Sequence, residues 1–309
     1  MNEIKIFSPA TVANISCGFD CLGLAINDLG DTMVFTKTDD QKVSIKEITG
    51  ANLPYDIHKN AASAVALAML QKHPADFGLE VSIHKGFEPG SGLGSSAASA
   101  AGAAFAVNEL LDKPFSQLEL TKFAMLGEQV ACGSPIADNV AAAIHGGFIL
   151  VQQYDPLKII KLPVPSELEV VAIHPQVTVK TKDAREVLPQ NVPLADAVIQ
   201  WANVGGLISG LYTNDYEVIA NSLEDLIVEP ARKHLIPHFD LVKEAAIRGG
   251  ALNAGISGSG PTIFALCKGS ETAKNVFKNI NEVYANTGID FTMVHSKINT
   301  QGVTILEKN

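Results

Sequence analysis

Residues Glu88–Ser99 read Glu-Pro-Gly-Ser-Gly-Leu-Gly-Ser-Ser-Ala-Ala-Ser, and an Ala-rich run continues from them to Leu110. No other stretch constrains the fold of this chain as strongly. Three glycines alternate with small residues, two serines follow, and the run behind them favours helix. We read a loop that enters the N-terminus of a helix over roughly Ser95–Leu111. Glycine lets backbone N–H groups approach a ligand and accept φ > 0 without a Cβ clash. The first turn of a helix presents unpaired N–H donors and about half a positive charge. Together they make an anion site, most often for phosphate. A serine hydroxyl at the same point can reach a metal ion held by that phosphate.

Other uses of glycine fit less well. A tight turn before a small-residue helix needs fewer glycines. The ordinary phosphate loop ends in Gly-Lys-Ser/Thr, which does not occur in the chain. Gly92-x-Gly94-x-x-Ala97 matches a loose dinucleotide fingerprint. That fingerprint directly follows a strand and is answered about 20 residues on by an acidic residue ending the next strand. Here Gly86-Phe-Glu-Pro intervenes and a long helix follows.

The 309 residues suffice for two domains, and 47% hydrophobic with 18% charged residues excludes wholesale disorder. A net charge of −10 makes the chain a poor general partner for nucleic acid or an anionic membrane. The start, Met1–Ser8, has no apolar signal-peptide core, and the apolar runs at Ala61–Leu70 and Ala97–Val107 are too short to span a bilayer. Cys17-x-x-x-Cys21 lacks a His/Cys pair to complete a metal site, so the four cysteines read as thiols in a reducing cytoplasm.

Along the chain, a short strand at Ile4–Phe7 leads into an irregular loop. Asp31–Thr38 and Lys42–Ile48 alternate as antiparallel strands. A helix over Lys59–Lys72 and a strand over Leu79–Lys85 precede the glycine-rich loop. Ser116-x-x-Glu119 is a capping box opening a helix to about Ala131. Gly133–Asn139 reads as loop and Gly147–Tyr154 as strand. Asp155-Pro and Pro163-Val-Pro mark a boundary between domains at 1–158 and 159–309. Beyond it lie a strand at Leu168–Ile173 and helices near Asp183–Leu188, Leu194–Thr213, Asp215–Leu226 and Phe239–Arg248. Strands at Ala251–Gly255 and Thr262–Cys267, a helix at Ser270–Thr287 and a last strand near Phe291–Lys297 complete the pattern. Strands and helices mix without strict alternation, which indicates an α+β fold.

Gly92-Leu-Gly-Ser-Ser-Ala97 with a preceding proline resembles the phosphate loop of the GHMP small-molecule kinases. Two further segments resemble that family's other motifs. Ser8–Ala25, with Asn14-Ile-Ser-Cys-Gly-Phe-Asp20, looks like the first in the form found in homoserine kinases, and Asn253–Thr262 looks like the third. Three motifs in order span nearly the whole chain. The resemblance implies a two-domain GHMP kinase fold, with an S5-like N-terminal domain, a ferredoxin-like C-terminal domain and ATP between them. It also implies a homodimer.

The resemblance assigns roles residue by residue. Pro89, Gly90, Ser91, Gly92, Leu93, Gly94, Ser95 and Ser96 would hold the triphosphate. Ser96 and Glu128 would bind Mg²⁺, which prefers oxygen ligands and keeps several waters. Gly258 and Ser259, in the third motif, would turn backbone donors to the phosphates, or simply form a hairpin turn. Asn60 would lie near the nucleotide, or cap a helix. Lys85 would join it, or be a solvated charge at a strand end. An amino-acid alcohol needs a guanidinium for its carboxylate and a carboxylate for its ammonium. Arg185 and Arg232 would supply the first and Asp20 the second, with Asn14 and Asn139 placing the substrate, L-homoserine. Mevalonate kinases carry an aspartate where Asn139 stands, and an amide cannot take a proton. Proximity and charge stabilisation would then carry catalysis, with Asp138 structural. Ser16, Cys17, Pro89 and Ile136 depart from the usual pattern and bear on fine positioning. Another GHMP kinase, a non-catalytic sensor and a dinucleotide enzyme are the rival readings, in that order.

Overall fold

The computed structural model describes residues 1–179 and 181–309. Its strands are β1 (Glu3–Ala13), β2 (Leu22–Thr38), β3 (Val43–Thr49), β4 (Gly78–His84), β5 (Phe148–Tyr154), β6 (Leu157–Leu162), β7 (Leu168–Pro175), β8 (Asn253–Ile256), β9 (Ile263–Lys268), β10 (Phe291–Lys297) and β11 (Thr304–Lys308). The helices are α1 (Ala61–Lys72), α2 (Ser95–Leu110), α3 (Gln117–Cys132), α4 (Asp138–His145), α5 (Thr181–Glu186), α6 (Leu194–Thr213), α7 (Tyr216–Ser222), α8 (Val228–Arg232), α9 (Phe239–Arg248) and α10 (Ser270–Tyr284).

Strands β1–β6 and β11 form one seven-stranded sheet, and β10-β7-β9-β8 form a second, antiparallel one. The first sheet packs against α1–α4. Helix α2 is almost wholly buried because its alanines let neighbours close in from every side. At Gly127 of α3 a Cβ would come within 2.6 Å of the Ala100 methyl, so this glycine lets α3 lie against α2. That contact brings the next residue, Glu128, beside the start of α2. The second sheet has the strand–helix–strand–strand–helix–strand order of a ferredoxin-like unit, with α9 and α10 on one face around Val171, Ile173, Val242 and Ile280. Each such fully buried aliphatic contributes about 1.5–3 kcal/mol.

The α+β class and the two-unit layout hold, and several local expectations change. Strand β3 pairs with β4 in parallel and not with β2. Residues Ser8–Ala13 belong to β1, paired with β2, so the first motif is irregular only between Asn14 and Cys21. Asp138 and Asn139 begin a helix and not the end of a loop. The expected division at residue 158 falls inside β6, which pairs with β5 in the first sheet. The chain also returns at its end: β11, absent from the sequence reading, pairs with β1. Strand pairing across more than 290 residues leaves no local signal. Among the described residues no helix is long and apolar enough to cross a membrane.

Candidate functional site

A cavity of about 430 Å³ lies at the start of α2, lined by helix ends and the loops between elements. Every expected site residue lines it except Ser91 and Leu93. Those two face the protein interior instead: the Leu93 N–H donates to Ser91 Oγ at 3.3 Å, and Leu93 O accepts from Thr11 N at 2.9 Å.

The glycine-rich loop works by backbone geometry. Gly90, Gly92 and Gly94 all adopt positive φ, and Gly94 opens α2 with no side chain capping the helix. The first N–H groups of α2 therefore carry the anion-binding potential read from the sequence. At Gly92 a Cβ would lie 2.7 Å from Ser257 O and 2.8 Å from Gly260 O, so the loop lies flat on the third motif. Ser257 Oγ donates to Gly92 O at 2.6 Å, and Thr262 N to Ser91 O at 3.2 Å.

This changes the reading of Gly258 in the third motif, and leaves that of Ser259 as it was. The motif is the turn of the β8–β9 hairpin, and two of its donors bond within the protein: Gly258 N to Ala13 O at 3.3 Å and Gly260 N to Ser257 O at 2.9 Å. Gly258 and Ser259 still line the cavity, but this segment buttresses the phosphate loop.

Lys85 is corrected in the same way, while Asn60 takes the helix-cap reading and still lines the cavity. Lys85 is buried, and its ammonium donates to Asp31, to Ser95 O at 2.7 Å and to Ser99 Oγ at 3.0 Å. All three of its donors are used, so it pins the start of α2 from below and is no free cation for a ligand. Asn60 is the N-cap of α1: Oδ1 accepts from Ala62 N at 3.0 Å, and Nδ2 donates to Pro54 O at 3.1 Å.

Glu128 is the opposite case. Its side chain is buried, and Oε1 has no hydrogen-bond partner among the described residues. Burial pushes its carboxyl up to about 7, while the Ser96 hydroxyl and the Lys85 cation pull it down. A buried carboxylate oxygen without a partner is costly. A hard divalent cation beside the Ser96 hydroxyl is the chemistry that would satisfy it, so this donor set fits Mg²⁺.

The other end of the cavity holds the charged pair. Arg185 Nη2 lies 3.3 Å from both carboxylate oxygens of Asp20. Buried Arg232 donates from Nε to Ala184 O at 2.8 Å and from Nη1 to Gly258 O at 3.0 Å. Both guanidinium groups lie over the Phe19 ring, 5.9 and 5.1 Å from its centroid. Asn14, at φ 71°, bridges the first and third motifs: Nδ2 donates to Gly258 O at 2.8 Å, and Oδ1 accepts from Asp20 N at 3.1 Å. With both polar ends engaged, Asn14 shapes the site around Asp20.

Asn139 stands between the two ends. Its backbone N and Nδ2 donate to Asp138 Oδ1 at 2.6 and 3.1 Å, and Thr11 Oγ1 donates to its Oδ1 at 2.6 Å. Asp138 is buried, and burial first, then the nearby Asp20 charge, raises its carboxyl to about 7. Tyr154 donates to Asp20 O at 2.9 Å and accepts from Ala137 N at 3.3 Å, joining the two substrate segments. The sequence reading missed Thr11, Phe19 and Tyr154. The first two lie inside the first motif and were within reach of it. Tyr154 comes to the site only through the β5 strand.

A glycine-rich helix start with free N–H groups, a buried carboxylate near a serine and a cluster of charged side chains thus share one cavity. Residues 59–147 match the GHMP kinases N terminal domain, and residues 207–286 match the GHMP kinases C terminal domain. The chain belongs to the GHMP kinase family. Within that family it is 43% identical to the homoserine kinase of Chlorobium phaeobacteroides, over 99% of this chain and 100% of that one. It is 42% identical to that of Chlorobaculum tepidum, over 99% of both chains. The crystal structure of homoserine kinase from Cytophaga hutchinsonii superposes with a TM-score of 0.96 at 47% identity, covering 99% of this chain and 98% of that one.

Proposed function

We propose that this chain transfers the γ-phosphoryl group of ATP to the side-chain hydroxyl of L-homoserine, giving O-phospho-L-homoserine and ADP, a step towards threonine. The observation that carries this reading is the placement of Ser96, Glu128, Asn139, Asp20, Arg185 and Arg232 around one cavity at the start of α2. The identity to named homoserine kinases over the whole chain supports the choice of substrate.

The helix start and loop would bind the triphosphate. Mg²⁺, held by Ser96 and Glu128, would neutralise charge on the phosphates. Arg185 and Arg232 would meet the substrate carboxylate and Asp20 its ammonium. Asn139 would orient the hydroxyl in line with the phosphoryl group. The hydroxyl oxygen forms the new P–O bond as the bond to the ADP oxygen breaks, and the hydroxyl proton leaves to a phosphoryl oxygen or solvent. No side-chain base is assigned, because the amide of Asn139 cannot accept a proton. Proximity and charge stabilisation supply the rate. Mevalonate, which lacks an ammonium, would leave Asp20 unanswered. From the resemblance we further propose a homodimer in the cytoplasm, which sedimentation and fractionation would test.

The deciding experiment is ADP release with ATP and Mg²⁺ over L-homoserine, D-homoserine, mevalonate, galactose and L-threonine. Release with L-homoserine alone is expected. Release only with another alcohol would discard the substrate pocket but retain the kinase. ATP binding without release would favour a sensor.

A further inference from the structure

We propose that Thr11 is a positioning residue that holds the Asn139 amide in place by its oxygen and ties it to the phosphate loop. This rests on the kinase reading above and adds a residue that reading does not use.

The carboxylate oxygen Asp138 Oδ1 already accepts from the Asn139 backbone N–H at 2.6 Å, so it is an acceptor. The side-chain atom of Asn139 lying 3.1 Å from it must be the amide nitrogen, and Oδ1 must face the other way. What it faces is the Thr11 hydroxyl at 2.6 Å, which has to donate. Asp138 thus excludes the flipped amide, and Thr11 holds the oxygen that this orientation turns towards it. One lone pair on Oδ1 and one N–H on Nδ2 remain for a ligand, and Asn139 lines the cavity.

Thr11 is fully buried in β1, and its backbone N–H donates to Leu93 O, at the centre of the phosphate loop. One residue therefore holds the loop that carries the phosphoryl donor and the amide that meets the acceptor hydroxyl. A Cβ on Gly94 would collide with Thr11 Oγ1 and come 2.8 Å from Asn139 Oδ1, so the loop glycine, the threonine and the asparagine are in direct contact. Because in-line transfer depends on both partners, a misplacement of about 1 Å is expected to cost on the order of 100-fold in rate.

The test compares Thr11→Val, which keeps the shape and removes the donor, with Thr11→Ser, which keeps the hydroxyl. Thr11→Val should lower kcat by about 10- to 100-fold while the Kd for ATP and the KM for L-homoserine stay within about threefold. Thr11→Ser should restore most of kcat. Asn139→Ala should lose a similar factor, and the double variant should lose little more than either single one. Additive losses, an unchanged kcat in Thr11→Val, or a loss in KM alone would overturn the proposal. Should Thr11→Val fail to fold, Thr11→Cys, a weaker donor, replaces it.

A second readout needs no turnover. The ¹⁵N resonance of the Asn139 side-chain amide, assigned by its loss in Asn139→Ala, should be single in the unaltered protein and broadened or doubled in Thr11→Val. An unchanged resonance would count against Thr11. Failure of the substrate reading would instead show as no ADP release from the unaltered protein with L-homoserine, with the amide result untouched.

Discussion

Arg185 and Asp20 point at each other: Nη2 of the guanidinium is 3.3 Å from both oxygens of the carboxylate. These are the groups proposed to hold opposite ends of the same substrate. A zwitterion can answer both, its carboxylate replacing Asp20 beside Arg185 and its ammonium replacing Arg185 beside Asp20. A ligand with only one of these charges would leave the other residue's interaction broken.

From this pairing, Arg185→Ala should raise the KM for L-homoserine by about 10- to 100-fold, the equivalent of one charged hydrogen-bonded contact at about 1.5–3 kcal/mol, with kcat within about threefold. Arg185→Lys should recover little, because an ammonium cannot offer two parallel donors. An unchanged KM in steady-state kinetics would remove Arg185 from the substrate site.

Among the described residues nothing partners the buried Oε1 of Glu128, so activity and stability should part company there. Glu128→Gln removes a buried charge and should raise the melting temperature of the ligand-free protein above pH 7 by about 2–4 °C. The same change should abolish most Mg²⁺-dependent turnover, and chelation with EDTA should silence the unaltered enzyme. A variant both less stable and fully active would contradict the metal role.

Asp138 gives a pH prediction. Its carboxyl is raised to about 7 in the folded chain, well above its value of 3.8 when solvated. The folded state therefore binds more protons than the unfolded state across that interval, and stability falls as pH rises from about 4 to above 7. Glu128 contributes with the same sign. Asp138→Asn should flatten part of that fall in melting curves taken from pH 5 to 8. It should also leave kcat within about tenfold, as a positioning neighbour would; near-total loss of kcat with KM intact would make Asp138 the missing base.

Lys85 and Asp31 form a buried ion pair under α2. Lys85→Met should destabilise the fold by about 3–5 kcal/mol in urea denaturation, because Asp31 would be left buried and unpaired. Lys85→Met with Asp31→Leu should regain much of that loss. If Lys85→Met weakened ATP binding alone and left stability intact, the lysine would be a ligand contact after all.

The parts of the site that were legible from the chain are those built by neighbours in sequence. Gly90, Gly92 and Gly94 announce a backbone that approaches an anion, and Ser116 with Glu119 announces a capped helix, because local geometry alone demands those residue types. The parts that were misread depend on partners far away. Lys85 looked like a strand-end cation, and only Asp31, 54 residues earlier, and Ser99 turn it into an internal strut. Gly258 looked like a phosphate donor until Ala13 took up its N–H group.

By itself, then, the sequence determined that a glycine-rich loop enters a small-residue helix, that strands and helices mix, and that the motifs of a GHMP kinase are present in order. Tertiary structure decided which of those residues are free to act. Among the described residues burial leaves Glu128 Oε1 without a partner and gives Lys85 three, and it sets Asp20 against Arg185 across 165 positions. It also places Thr11 and Asn139, 128 positions apart, within one hydrogen bond. The physical reason is that a polar group's role depends on what satisfies it, and for a buried group that partner is supplied by the fold.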